Sequence, residues 1–251
     1  MKLDKKVAII TGASRGIGRE TALLFAKEGA AIVIDYFVSD YEPDAEQNAK
    51  DLQCEIESIG GKSLMFQCDV RDESQILALV SKTIKEFGKI DILINNAGFV
   101  FDIPVKDRTL EQWNRTINTN LLGTYLCLKI VSERMSNGGS IVNASSTNAI
   151  NSLNPESLDY DATKAGIITL TKNFAKHLAP RQIRVNATAV GWANTPMNAQ
   201  LEDTFIGEEV KKIYLQRFAE PEEVARVNLF LVSSDSSYVN AVTIVIDGGH
   251  D

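Results

Sequence analysis

Short runs of β-branched and aliphatic residues alternate along the chain with longer amphipathic stretches. The short runs predict strands near Val7–Thr11, Ala31–Tyr36, Ser63–Cys68, Ile90–Asn95, Ser140–Ser145, Ile183–Val190 and Val242–Asp247. The amphipathic stretches predict helices near Gly16–Glu28, Asp44–Ile59, Glu73–Phe87, Leu110–Met135, Leu158–Leu178 and Pro221–Leu231.

Strict alternation of strand and helix predicts right-handed crossovers and a parallel sheet covered on both faces. The run Val7-Ala8-Ile9-Ile10 is apolar throughout, as a doubly covered strand requires. The chain has 251 residues, of which 44% are hydrophobic, and no linker divides it. We therefore expect an α/β fold: one doubly wound, Rossmann-type domain over residues 1–251, with about seven parallel strands. Ligands of such sheets bind at the carboxyl ends of the strands.

Charge and cysteine content exclude several functions. The net charge of −7 disfavours nucleic-acid binding. No apolar run has the length of a membrane span, and the run after the charged start is too short for a signal peptide, so we expect a cytoplasmic protein that does not bind membranes. Three cysteines and two distant histidines show no spacing of metal ligands, so we expect no metal.

A glycine cluster follows the first predicted strand and opens the first helix. Its sequence is Thr11-Gly12-Ala13-Ser14-Arg15-Gly16-Ile17-Gly18. Glycines allow a tight turn and a close approach of the backbone, and the helix N-terminus offers free N–H groups to a pyrophosphate. The cluster predicts a dinucleotide cradle, with an ordinary strand-to-helix turn as the alternative.

Two Tyr-x-x-x-Lys pairs occur, and this spacing places both side chains on one face of a helix. A lysine close to a phenol stabilises the phenolate, which lets the tyrosine exchange a proton in catalysis. Tyr125 and Lys129 lie in an apolar helical stretch, where a packing role is favoured. Tyr160 and Lys164 open a helix shortly after a strand that ends in two serines, and this pair is the predicted reacting centre.

Together these motifs resemble the short-chain dehydrogenase/reductase family, in its short form that is 3-oxoacyl-carrier-protein-reductase-like or carbonyl-reductase-like. Asn95-Asn96-Ala97-Gly98 is similar to the family's N-N-A-G signature, and Asp69-Val70 to its adenine-contacting pair. The resemblance extends from Lys5 to Gly249. It implies an NAD(P)-dependent oxidoreductase that interconverts a ketone or aldehyde and an alcohol by hydride transfer.

The resemblance also implies the roles of individual residues. The catalytic set falls on Asn120, Ser146, Tyr160 and Lys164, with Ser145 as the alternative serine. Tyr160 acts as the acid/base. The residues that match cofactor-binding positions are Gly12, Ser14, Arg15, Gly16, Ile17, Gly18, Asp35, Tyr36, Asp69, Val70, Asn96, Ala97, Gly98, Tyr160, Lys164, Gly191, Ala193 and Thr195.

The choice of cofactor depends on the end of the second strand. An acidic residue there favours NAD(H), because its carboxylate binds the ribose hydroxyls and repels a 2′-phosphate. In an alignment with the family, the position of that acidic residue is occupied by Tyr36. Asp35 occupies the preceding position, where several NADP(H)-dependent relatives carry asparagine. Arg15 matches a basic position that binds the 2′-phosphate. NADP(H) is therefore favoured and NAD(H) is the alternative, because an acidic insertion at residues 38–44 works against a bound phosphate.

A segment at about residues 192–216 is expected to form a substrate lid. Apolar residues there and in Phe99-Val100-Phe101 favour an apolar or aromatic carbonyl substrate, with packing between helices or subunits as the alternative. The resemblance implies a homotetramer that pairs the two longest helices. The competing functions are an NAD(H)-dependent alcohol dehydrogenase and, from another class, a catalytically silent dinucleotide-binding regulator.

Overall fold

The computed structural model describes residues 1–151 and 155–250. In this part of the chain, seven parallel strands form one sheet in the order β3-β2-β1-β4-β5-β6-β7. The strands are β1 Val7–Ile10, β2 Ala31–Tyr36, β3 Lys62–Gln67, β4 Ile92–Asn95, β5 Ser140–Ser146, β6 Arg184–Val190 and β7 Thr243–Ile246. The predicted doubly wound sheet is confirmed.

Helices cover both faces of this sheet. Their bounds are α1 Gly16–Lys27, α2 Ala45–Ser58, α3 Glu73–Phe87, α4 Leu110–Thr116, α5 Gly123–Arg134, α6 Leu158–Leu178, α7 Asp203–Lys212 and α8 Pro221–Val232. Apolar residues of α1, α2 and α8 pack on one face, and those of α3, α5 and α6 pack on the other. Alternate residues of a strand point to opposite faces, so β2 sends Ile32 and Ile34 to one layer and Val33 to the other.

The helix predicted over Leu110–Met135 is divided. A π-helical segment, Ile117–Leu122, separates α4 from α5 and contains Asn120. A capping box between Thr109 and Gln112 fixes the beginning of α4. π-Helical turns are rare and occur often at functional sites. Here the wider turn accompanies the hydrogen bonds that Asn120 makes outside its own helix.

Helix α7 was not predicted, because its sequence is highly charged and none of its residues is buried. It lies within the segment expected to form a lid. Its Phe205 meets the ring of Trp192 edge-on at 5.5 Å, and Trp192 stacks on Phe218 at the same distance. The segment is therefore attached to the body of the protein through aromatic contacts.

The strand order reverses at β1, since the chain runs outward through β2 and β3 and then returns to place β4 on the other side of β1. Such a switch point leaves a crevice at the carboxyl ends of β1 and β4. The described helices are each too short or too polar to cross a membrane.

Candidate active site

The glycine loop lies at the crevice between β1 and β4. Gly12 and Gly16 have φ angles of +61° and +56°, which side chains rarely adopt. A β-carbon on Gly12 would lie 3.0 Å from the Cα of Ala97, and one on Gly18 would overlap the carbonyl oxygen of Gly12. The turn therefore requires glycine, and it leaves the backbone of the loop open to a ligand.

The Asn95–Gly98 signature holds this loop from the neighbouring strand. Asn96 Nδ2 donates to the carbonyl oxygens of Thr11 and Gly12 at 3.1 and 3.0 Å. The hydroxyl of Thr11 accepts from the N–H groups of Asn96 and Ala97, both at 3.0 Å. These bonds fix the loop before any ligand binds.

A cleft of about 220 Å³ runs along the loop. Twelve of the predicted cofactor residues line it, namely Gly12, Ser14, Arg15, Gly16, Ile17, Asp35, Asp69, Val70, Asn96, Ala97, Gly98 and Thr195. Gly18 does not line the cleft but packs against the carbonyl oxygen of Gly12 and the side chain of Asn96. Gly191 and Ala193 line a second cavity, described below. Tyr36 is placed differently: it is only 8% exposed and packs in the core with Ile32 and Ile34, so its side chain is not part of the cleft.

Asp35 supplies an unusual group to the wall of the cleft. It is 1% exposed, its Oδ2 accepts from the N–H of Gly12 at 3.3 Å, and its Oδ1 has no hydrogen-bond partner among the described residues. Burial raises the pKa of this carboxyl well above its usual range. Asp35 therefore places a buried carboxyl beside the glycine cradle, where the N–H of Gly12 holds it.

Asp69 is held rigidly at the far side of the cleft. Arg71 donates to it from Nε at 2.8 Å and from Nη2 at 2.6 Å. Burial acts to raise the pKa of Asp69, but the hydrogen bonds and charge of Arg71 outweigh it and lower the pKa. The carboxylate thus stays charged and fixed beside Val70.

The second cavity, of about 460 Å³, shares Ile17, Asn96, Gly98, Thr195 and Met197 with the cleft. Its wall carries Ser146, Tyr160 and Lys164. Burial raises the pKa of Tyr160 to about 12, although its hydrogen bond with Ser146 acts in the opposite direction. The tyrosine therefore holds its proton at neutral pH.

Lys164 lies one helical turn beyond Tyr160. Its Nζ is 5.3 Å from the centroid of the tyrosine ring and donates to the carbonyl oxygen of Ala144 at 2.7 Å. Burial lowers the pKa of Lys164 to about 8, so the ammonium form predominates at neutral pH. The structure thus places a cation beside a protonated phenol.

The two serines at the end of β5 have different contacts. Ser145 donates to the carbonyl oxygen of Lys164 at 2.9 Å, which ties β5 to α6. Ser146 is hydrogen-bonded to Tyr160 and accepts from the N–H of Asn148 at 3.2 Å. Ser146 is thus the serine beside the tyrosine.

Asn120 is fully buried between two elements of the site. Its Oδ1 accepts from the N–H of Phe99 at 3.0 Å, and its Nδ2 donates to the carbonyl oxygen of Phe99 at 2.8 Å and to the hydroxyl of Thr163 at 3.3 Å. A β-carbon on Gly98 would lie 3.1 Å from Asn120 Oδ1. Asn120 therefore joins the signature loop to the helix of Tyr160.

The other Tyr-x-x-x-Lys pair lies outside the site. Tyr125 is 39% exposed and its ring meets Phe174 at 6.4 Å, while Lys129 forms an ion pair with Glu73 at 3.1 Å. Neither lines the cleft or the cavity.

Two features of the site were not predicted. Glu42, from the insertion after β2, contacts Ser14 and Arg15. Arg108 and Asp159 form a buried ion pair at 2.7 Å, and the other oxygen of Asp159 accepts from the N–H of Tyr160 at 2.9 Å. Of these two features, only the contact of Glu42 had a signal in the sequence, namely the acidity of the insertion.

The described residues contain no cluster of three or more His, Cys, Asp or Glu side chains that would hold a metal.

Comparison with known proteins agrees with this geometry. A family model described as Enoyl-(Acyl carrier protein) reductase matches residues 12–251. The chain is 42% identical to 3-oxoacyl-[acyl-carrier-protein] reductase FabG of Thermotoga maritima, over 99% of both chains. It superimposes on a short-chain dehydrogenase/reductase of Serratia marcescens (TM-score 0.93, 29% identity, 99% of both chains). It also superimposes on a short chain dehydrogenase of Burkholderia cenocepacia in complex with NADP (TM-score 0.90, 30% identity, 99% of both chains). The chain therefore belongs to the short-chain dehydrogenase/reductase family of NAD(P)-dependent oxidoreductases.

Proposed function

We propose that the protein is an NADP(H)-dependent ketoreductase that reduces the ketone of a 3-oxoacyl thioester to the alcohol, with Tyr160 as the proton donor. The observation that carries this proposal is the set of Ser146, Tyr160 and Lys164 on the wall of a cavity that opens into the glycine-lined cleft. The name of the Thermotoga maritima relative supports the substrate class.

The cleft provides the groups that would hold the cofactor. The backbone of the glycine loop would hold the pyrophosphate, Asp35 would lie near the ribose, and Asp69 with Val70 would border the adenine. Ser14 and Arg15 offer a hydroxyl and a cation to the 2′-phosphate. That pair, and the NADP bound to the Burkholderia cenocepacia relative, support NADP(H) over NAD(H).

In the proposed mechanism, the nicotinamide supplies a hydride when the cofactor is bound. Ser146 and Tyr160 donate hydrogen bonds to the carbonyl oxygen, and Tyr160 transfers its proton as negative charge develops there. Lys164 stabilises the phenolate that remains, because its ammonium is one helical turn away. Asn120 positions the signature loop and supports return of a proton to Tyr160.

Val100, Trp192 and Phe205 line this cavity and offer apolar surface to an acyl chain. We propose that the segment at about residues 192–216, which contains α7, closes over the cavity as a substrate lid. The cytoplasmic location and the homotetramer stay predictions from the sequence.

The test compares Tyr160→Phe with Tyr125→Phe, which removes the same hydroxyl from the other Tyr-x-x-x-Lys pair. We expect Tyr160→Phe to lower kcat for a 3-oxoacyl thioester at least about 100-fold, because a general acid contributes roughly 10²- to 10⁴-fold. NADPH binding, followed by nucleotide fluorescence, should be retained in both variants, and Tyr125→Phe should turn over normally.

Substantial turnover by Tyr160→Phe would contradict the role of the tyrosine. A wild-type protein that binds NADPH but reduces no member of a panel of ketones, aldehydes and 3-oxoacyl thioesters would instead favour the catalytically silent regulator.

A further inference from the structure

The insertion after β2 folds across the mouth of the cleft. This acidic strap, residues 38–44, makes a tight turn in which the N–H of Glu42 donates to the carbonyl oxygen of Ser39 at 2.9 Å. The ring of Tyr41 stacks on Phe99 at 6.2 Å and lies under the guanidinium of Arg115 at 4.3 Å. These contacts anchor the strap on the opposite wall and leave Glu42 facing the glycine loop.

The carboxylate of Glu42 binds two groups of that loop. Its Oε1 accepts from the hydroxyl of Ser14 at 2.5 Å, and its Oε2 lies 3.3 Å from Nε of Arg15. All three residues line the cleft. The hydroxyl and the cation that would receive a phosphate are therefore already engaged by an anion of the protein itself.

We propose that Glu42 limits the affinity for NADP(H), and so narrows its preference over NAD(H), by competing with the 2′-phosphate for Ser14 and Arg15. This inference rests on the proposed dinucleotide site. A phosphate and a carboxylate repel one another when they share one cation at hydrogen-bond distance, so NADP(H) must displace Glu42 from Ser14 and Arg15. NAD(H) lacks the 2′-phosphate and leaves the contact in place. Glu42 thus lowers the affinity for NADP(H) and hardly changes that for NAD(H).

The test measures binding to Glu42→Gln, which keeps the size of the side chain and removes its charge. The dissociation constants of NADPH and NADH are obtained by fluorescence titration, and those of 2′,5′-ADP and 5′-AMP by calorimetry. Asp40→Asn is the matched control, because it removes one negative charge from an exposed position of the same strap. Thermal unfolding verifies that each variant is folded.

We expect Glu42→Gln to bind NADPH and 2′,5′-ADP about tenfold more tightly, the size of effect typical of a hydrogen bond to a charged group. NADH and 5′-AMP should change less than about twofold, and Asp40→Asn should change none of the four by more than that. The gain should also shrink when Arg15→Gln is combined with Glu42→Gln, because the shared cation is then absent.

Other results overturn the inference. Equal gains for NADPH and NADH would indicate general repulsion of the phosphates, and weaker NADPH binding would mean that Glu42 orders Arg15 for the phosphate. Unchanged NADPH affinity would show that the contact has no bearing on specificity, while the proposed function would stand. A wild-type protein that binds neither dinucleotide would refute the proposed function itself.

Discussion

The buried charge of Lys164 should lower the free energy of unfolding, and replacing this lysine tests the electrostatics of the site directly. The side chain is only 5% exposed, and burial lowers its pKa from the ordinary 10.5 to about 8. Each pKa unit corresponds to about 1.4 kcal/mol, so holding the charge in the folded state costs about 3 kcal/mol. The hydrogen bond to the carbonyl oxygen of Ala144 returns about 1 kcal/mol. We therefore expect Lys164→Met to unfold at pH 7 with a free energy about 2 kcal/mol higher than that of the wild type.

The effect has a defined dependence on pH. Below pH 8 the lysine is protonated in both states, and the wild type carries the full penalty. Between pH 8 and 10.5 the unfolded chain binds more protons at this residue than the folded protein does, so the stability of the wild type rises with pH relative to the variant. Across this window the wild type gains about 3 kcal/mol relative to the variant, which exceeds the advantage of about 2 kcal/mol at pH 7. The advantage of Lys164→Met should therefore shrink, vanish near pH 10 and reverse by up to about 1 kcal/mol at higher pH.

Urea denaturation at a series of pH values measures both quantities, provided that the slope against urea is the same for the two proteins. Lys172→Met, at an exposed position of the same helix, is the control and should stay within about 0.5 kcal/mol of the wild type at every pH. Turnover should be lost in Lys164→Met alone. A variant less stable than the wild type at pH 7, or an advantage that does not change with pH, would refute the reasoning.

Two further substitutions test the loop and the ion pair beneath the site. Gly18→Ala places a β-carbon 2.6 Å from Asn96 Nδ2. It should lower the free energy of unfolding by about 1–3 kcal/mol and weaken NADPH binding. The control is Gly207→Ala, whose β-carbon meets no atom within 4 Å and which should have neither effect. Arg108→Met leaves Asp159 buried without its cation and should lower the free energy of unfolding, measured by urea denaturation, by about 3–5 kcal/mol. Adding Asp159→Asn should restore part of that stability. A double variant no more stable than Arg108→Met would argue against an electrostatic cause.

The sheet and the glycine loop were predictable because both are encoded locally. Each strand is a short apolar run, and Gly12 and Gly16 follow the first of them in the spacing that the turn needs. Even the placement of Tyr36 had a signal in the sequence. Side chains alternate along a strand, so Tyr36 lies on the same face of β2 as Ile32 and Ile34, and Asp35 lies on the opposite face.

The parts that were not predicted depend on contacts between distant residues. Glu42 meets Ser14 across 28 positions, and Arg108 meets Asp159 across 51. The π-helical segment accompanies hydrogen bonds between Asn120 and Phe99, 21 positions away. The periodicity of apolar residues indicates which face of a helix or strand is buried. It does not indicate which polar side chain of a distant element will contact that helix or strand.

Burial acts on the two central groups of the site in opposite directions, and this sets how deeply they can lie. It favours the neutral phenol of Tyr160, which the reduction needs, and disfavours the ammonium of Lys164, which the reduction also needs. At pH 7 the tyrosine has a margin of roughly five pKa units in its required form, but the lysine has a margin of only about one. Deeper burial would neutralise Lys164 before it changed Tyr160. The carbonyl oxygen of Ala144 accepts from the ammonium at 2.7 Å and favours its charged form. The lysine, rather than the tyrosine, therefore limits how far water can be excluded from this site.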